Sequence, residues 1–263
     1  MRYSCWLIFI ITLWFNNTAS AVNELSLNID TNRLPKTIAL ATTDWCPYLC
    51  QQNDHKTGIV VDYLNYLSTQ LDITFIFHFY PWSRAIQLVT NNTHHGLATA
   101  IQSEAPNLKL TTVPTMTYKA CFYVRNNSNW HYKDINSITD IRLGYIANYG
   151  YGEPVDSYIK HHKHAQHLVK ITGVSAPQRL IKMLSSKRID GFIADQQVTR
   201  WMTRLSQSQG NINNAGCLTP MPFYLAINPS LPWGNQLIQR LDNLLKNDKN
   251  QQYLQQMILP NYQ

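Results

Sequence analysis

Hydrophobic and polar positions alternate along the chain in two rhythms. Thr37-Ile38-Ala39-Leu40-Ala41 is a short apolar run of strand type, and Ile73 to Phe79 is a second, rich in β-branched and aromatic residues. Between them, Val60, Tyr63, Leu64, Leu67 and Leu71 recur at helical spacing and predict one buried helix face over Ile59 to Leu71. Pro81 opens a predicted helix through Val89, because its fixed φ suits a first turn. Gly96 to Ile101 and Cys121 to Val124 are further strands. A polar stretch from Arg125 to Asn136 then interrupts the rhythm.

A second series follows. Strands are predicted at Ile141 to Ile146, Leu168 to Thr172 and Gly191 to Ala194, with helices over Ala176–Leu184 and Gln196–Leu205. Gly210 to Asn214 reads as a loop, Phe223 to Ile227 as a strand, and Pro232 starts a last helix carrying Leu237, Leu241, Leu244 and Leu245. Strands alternating with helices imply an α/β fold with two mainly parallel sheets. The break and the late return imply two lobes joined by two crossing strands. The expected division is 1–21 leader, 22–124 and 221–263 in lobe one, and 125–220 in lobe two. Ligands of such lobes bind in the crevice at the carboxyl ends of the strands.

The first residues change where this protein is expected to work. Arg2, the apolar run Cys5 to Phe15 and the small residues Ala19-Ser20-Ala21 follow the order of a secretory signal peptide. The run is shorter than the roughly 20 residues a membrane span needs. Cleavage after Ala21 would start the mature chain at Val22 in the periplasm. The net charge of +7 comes from scattered Lys and Arg without a basic run, so no nucleic-acid partner is expected. Apart from Cys5, the cysteines are Cys46, Cys50, Cys121 and Cys217, and an oxidising compartment favours two disulfides among three pairings. Cys46 with Cys50 would close a small loop, leaving Cys121 for Cys217. A zinc site on these four lacks the usual knuckle spacing. His161, His162, His164 and His167 are dense, but no acidic or cysteine ligand adjoins them, so no metal and no cofactor are expected. No nucleophile elbow, metalloprotease helix or phosphate loop is present, which argues against an enzyme.

Five phrases stand in order along the chain: Trp45-Cys46-Pro47-Tyr48, Gly58-Ile59-Val60-Val61-Asp62, Pro81-Trp82-Ser83-Arg84-Ala85, Leu143-Gly144-Tyr145-Ile146 and Ile189-Asp190-Gly191-Phe192-Ile193-Ala194-Asp195. Together they resemble the bacterial extracellular solute-binding proteins of family three, whose typical members serve amino-acid ABC transporters. The resemblance implies a monomeric binding protein of the type II-like two-lobed fold. It would hold a small polar ligand, an amino acid, amine or related compound, and deliver it to a permease complex in the inner membrane. It also implies roles for named residues. Asp195, after a lobe-two strand, would meet a ligand ammonium, and it suits a helix N-cap equally well. Tyr48 and Trp82 would be pocket aromatics, and Tyr149 would lie at the start of a lobe-two helix. The family's carboxylate-binding Arg is replaced by Asn107, which is neutral and offers no two-point ionic match. Arg84 is the candidate substitute. A dehydratase-like enzyme on the same fold and a soluble ligand sensor are the other function classes.

Overall fold

Small and branched side chains occupy the strands that other strands cover on both edges. The computed structural model describes residues 33–51, 57–173, 175–205 and 211–261. The expected leader therefore lies outside the described residues. The first sheet contains β1 (Thr37–Thr42), β2 (Thr74–Phe79), β3 (Gly96–Ala100), β4 (Lys109–Leu110), β5 (Met116–Tyr118) and β11 (Met221–Ile227). Its order is β2-β1-β3-β11-β4, with β5 beside another part of β11. Every residue of the central strand β3 is buried. Gly96 is required there, since a Cβ would stand 2.3 Å from the Ala226 carbonyl oxygen of the neighbouring strand.

The second sheet runs β10-β6-β9-β7-β8, from β6 (Ala120–Arg125), β7 (Leu143–Ile146), β8 (Leu168–Ile171), β9 (Gly191–Asp195) and β10 (Ile212–Cys217). Helices α1 (Ile59–Thr69) and α2 (Trp82–Thr90) serve the first sheet, and α3 (Val155–His161), α4 (Ala176–Ser185) and α5 (Gln196–Leu205) the second. The two sheets make the two-lobed α/β architecture expected of the chain. Both are mixed rather than mainly parallel. β1, β2 and β3 are mutually parallel, as are β7, β8 and β9, whereas β11, β6 and β10 pair antiparallel. The antiparallel members β6, β10 and β11 flank the two crossings, where the chain leaves one sheet and enters the other.

The first crossing lies earlier than expected. Met116–Tyr118 pairs with β11 in lobe one, and Ala120–Val124 pairs with β9 in lobe two. The chain therefore changes lobes at Lys119, and residues 120–124 belong to the second sheet. The apolar run Ala120–Val124, buried throughout, reveals a strand but not its partner, so the polar break that follows was misleading. The second crossing runs through Leu218–Pro220, before β11.

Three elements depart from the reading of the pattern. Ile212–Cys217, whose first residues fall in the loop expected at Gly210 to Asn214, is an edge strand that exposes Asn213 and Asn214, so it carries little apolar alternation. The helix following Pro232 begins at Gly234 and forms α6 (Gly234–Lys246). A further helix, α7 (Asp248–Asn261), is rich in Gln and has no clear apolar stripe. Tertiary contacts hold it instead: Tyr253 stacks on Tyr66 at 3.9 Å, and Tyr66 Oη donates to Asn250 Oδ1 over 3.1 Å. Buried Asp242 ties α6 to lobe one by accepting from the backbone N–H groups of Thr112 and Val113, at 2.8 and 3.0 Å. No helix among the described residues is long and apolar enough to cross a membrane.

Candidate functional site

The loops after the lobe-one strands and the start of lobe two meet around one cavity. Thr43 and Trp45 follow β1, Trp82 opens α2, and Ile101 and Glu104 follow β3. Tyr118 ends β5, Phe223 lies on β11, Tyr149, Gly150 and Tyr151 follow β7, and Asp195 ends β9. The cavity measures about 50 Å³, room for a few water molecules. No Lys, Arg or His is among its described lining residues.

One wall is an aromatic cluster. Trp45 packs on Tyr48 with ring centres 4.4 Å apart, and meets Tyr118 and Phe223 edge-on at 5.8 and 5.5 Å. Burial supplies most of the stabilisation, and edge-to-face geometry adds to it. Cys46 and Cys50 stand at disulfide distance and bracket Tyr48. Cys121 and Cys217 stand at disulfide distance on the paired strands β6 and β10, beside the two crossings.

Two carboxylates face this space from opposite lobes. Asp195 is buried, and its Oδ1 accepts from the N–H groups of Gln197 and Val198 at 2.8 and 2.9 Å, so it caps α5. Its Oδ2 accepts from the Lys119 N–H at 3.0 Å and lies 3.5 Å from the Tyr48 hydroxyl. Burial pushes its pKa up to about 6 against the pull of these N–H groups. Glu104 accepts from the Ile101 N–H of its own turn at 3.1 Å and from the Gly150 N–H of lobe two at 2.7 Å. Burial raises its pKa to about 7, and the Gly150 and Ile101 N–H groups oppose that rise. The Trp82 indole N–H, buried beside this carboxylate, makes no well-aligned hydrogen bond.

The turn Asn148–Gly150 gathers the contacts between lobes. Asn148 Nδ2 donates to Ser83 Oγ at 2.8 Å, and Tyr118 Oη donates to the Gly150 carbonyl at 2.5 Å. A Cβ on Gly150 would stand 2.1 Å from Ile101 Cδ1 and 3.1 Å from Glu104 Cγ, so a larger residue would have to displace these side chains. Asp156 holds the turn by accepting from the Tyr151 and Gly152 N–H groups at 2.8 and 3.0 Å.

The structure brings some of the expected site residues together and leaves others apart. Asp195, Trp82 and Tyr149 line the cavity. Tyr48 sits behind it in the aromatic cluster rather than on its surface. Asn107 is exposed and absent from the lining, because the chain turns at Gln102–Glu104 and presents Glu104 inward instead. Arg84 is exposed too, and donates to Gln87 of its own helix at 2.8 Å. It borders a groove with Trp82 and Tyr149 but not the cavity. Glu104, Trp45, Tyr118 and Phe223 were not singled out. Glu104 is one of only three Glu in the sequence, which by itself assigns it no place in the site. The histidine run does not share a helical face, because α3 ends at His161. Among the described residues no group of three or more His, Cys, Asp or Glu is arranged to hold a metal ion.

No family model and no curated protein sequence matches the chain. Solved structures do. A histidine kinase sensor domain with similarity to periplasmic binding proteins matches with a TM-score of 0.71 at 14% identity, over 87% of this chain and 95% of that one. An ancestral arginine-binding protein bound to arginine matches with a TM-score of 0.70 at 14% identity, over 86% and 98%. An amino acid ABC transporter substrate-binding protein from Streptococcus pneumoniae, bound to L-arginine, matches with a TM-score of 0.68 at 14% identity, over 85% and 93%. Identity this low establishes a shared fold.

Proposed function

We propose that this chain is a periplasmic solute-binding protein, of the kind typified by family three, that captures a small cationic amine between its lobes. The observation that carries the reading is the composition of the cavity. Asp195 and Glu104 approach it from opposite lobes, Trp45, Trp82, Tyr118, Tyr149 and Phe223 wall it, and no basic side chain is among its described lining residues. Carboxylates and aromatic faces both attract an ammonium, the latter by about 0.5–2 kcal/mol depending on desolvation. An α-carboxylate would meet like charge there. The cavity is small, so a ligand enters as the lobes part about Lys119 and Leu218–Pro220. Contacts to both lobes would then favour the closed form. Lobe one would comprise residues up to 119 and from 221 onward. Export with cleavage after Ala21 and delivery to an inner-membrane ABC permease complete the proposal. N-terminal sequencing of the exported protein beginning at Val22 checks the first of these.

Thermal-shift measurements on the mature protein test the ligand class. Amines should stabilise it, by about 2.7 kcal/mol at a hundredfold excess over Kd. Stabilisation by organic acids but not by amines would reject the reading. A soluble sensor is the second reading, favoured by the likeness to a sensor domain. It differs in the partner protein and shares the site.

A further inference from the structure

The inner cavity adjoins a much larger groove between the lobes. Glu104, Tyr149 and Gly150 line both spaces, so the two lie on either side of these residues. The groove measures about 900 Å³. Unlike the cavity, it is bordered by basic side chains. Lys160 at the end of α3, Lys163 beyond it and Lys170 on β8 all border it and are all exposed. None of the three side chains makes a hydrogen bond or ion pair with a described residue. Three acidic residues border the same groove. Glu104 sits at the inner end, Asp156 is engaged by the Tyr151 and Gly152 N–H groups, and Glu153 accepts from the Ser157 hydroxyl. The groove therefore carries lysine side chains without ion pairs beside carboxylates that are already hydrogen-bonded, with Glu104 next to the inner cavity.

We infer that the ligand is an extended dipolar solute, with its cationic amine in the inner cavity and an anionic group at the far end against Lys160, Lys163 and Lys170. A compact α-amino acid cannot satisfy both ends, because its carboxylate would sit beside Glu104 and Asp195. A longer chain carries the anion past Gly150 into the groove, where Coulomb attraction to the lysines replaces that repulsion. The inference rests on the amine reading above and narrows it.

Calorimetric titration of the mature protein with matched probes tests it. The pairs are butylamine with 4-aminobutanoate, hexylamine with 6-aminohexanoate, and octylamine with 8-aminooctanoate, with 1,8-diaminooctane as the charge-reversed probe. The amino carboxylate should gain on its alkylamine as the chain lengthens, reaching about five- to tenfold tighter binding. The diamine should bind less tightly than octylamine. The gain should shrink as salt rises, because exposed charges are screened. The triple variant K160Q/K163Q/K170Q should erase the difference within each pair. Amine binding with no gain at any chain length would overturn the inference and leave the amine reading intact. A gain that survives the triple variant would also overturn it. Failure of every amine to bind would bring down the amine reading, and this inference with it.

Discussion

The backbone N–H of Gly150 donates to Oε1 of Glu104 over 2.7 Å, joining a lobe-two turn to a lobe-one carboxylate. A Cβ on Gly150 would stand 3.1 Å from Cγ of the same glutamate. The contact between the lobes and the candidate charge for a ligand are thus one structure. Closure and electrostatics should respond to the same substitutions.

Gly150→Ala should hold the lobes apart. The new methyl group would press on Ile101 and Glu104, and repacking Ile101 relieves only part of the conflict. The expected outcome is a larger radius by small-angle scattering at saturating amine and at least tenfold weaker binding. An unchanged radius and affinity would show that this turn does not govern closure.

Glu104 should make stability depend on pH. Its pKa is raised from 4.5 to about 7 by burial, so the folded protein holds this proton more tightly than the unfolded chain. The sign follows: its contribution favours folding at low pH and is lost as pH rises from about 4.5 through about 7. Asp195, raised to about 6, acts in the same direction, and so do Asp156 and Asp44. His94 and His95, lowered by burial, act against them. The difference between two proteins isolates the residue: Glu104→Gln should gain in Tm on the wild type between about pH 5 and about pH 8. Parallel Tm curves would refute the assignment.

Asp195 carries two separable tasks. Asp195→Ala removes the α5 cap and should cost about 1–2 kcal/mol of stability along with amine binding. Asp195→Asn keeps an acceptor for Gln197 and Val198 but loses the charge. It should hold most of the stability and still lose at least tenfold in amine affinity, since hydrogen bonds to charged groups are worth about 1.5–3 kcal/mol. Calorimetric unfolding and titration on both variants separate the tasks. Equal amine affinity for Asp195→Asn and wild type would leave the residue as a cap alone.

The cysteines should pair 46 with 50 and 121 with 217. Peptide mapping without reduction reads this directly, and a link between Cys46 and Cys121 would contradict it. The longer bridge spans a sequence separation of 96 residues, so the double change Cys121→Ser and Cys217→Ser should destabilise by about 2–5 kcal/mol. The readout is the denaturant midpoint under oxidising conditions.

Arg84 and Asn107 should matter little. Both are exposed and outside the cavity lining. Arg84→Gln and Asn107→Ala should each change amine affinity by less than about threefold, since surface substitutions usually fall within about 0.5 kcal/mol. A tenfold loss from either would mean that the ligand lies in the outer grooves rather than the cavity.

The linear chain was sufficient for whatever depends on neighbours in sequence. The helical stripe Val60, Tyr63, Leu64 and Leu67, the buried runs at Leu40 and Ile193, and the two successive strand–helix series mark the elements and the two-lobed plan, because side-chain periodicity is a local property. Asp195 was legible for the same reason, standing at a strand end with a helix after it. Which sheet Ala120–Arg125 joins, and where the lobes cross, depended on partners far along the chain. So did the edge strand at Asn213 and the helix held by Tyr253, which lack an apolar pattern of their own. The rest of the cavity lining belonged to tertiary structure. Whether Glu104 or Asn107 turns inward is set by how the chain bends after β3 and meets Gly150, a contact across 46 residues of sequence. A raised pKa is likewise a property of burial, which no single residue carries by itself.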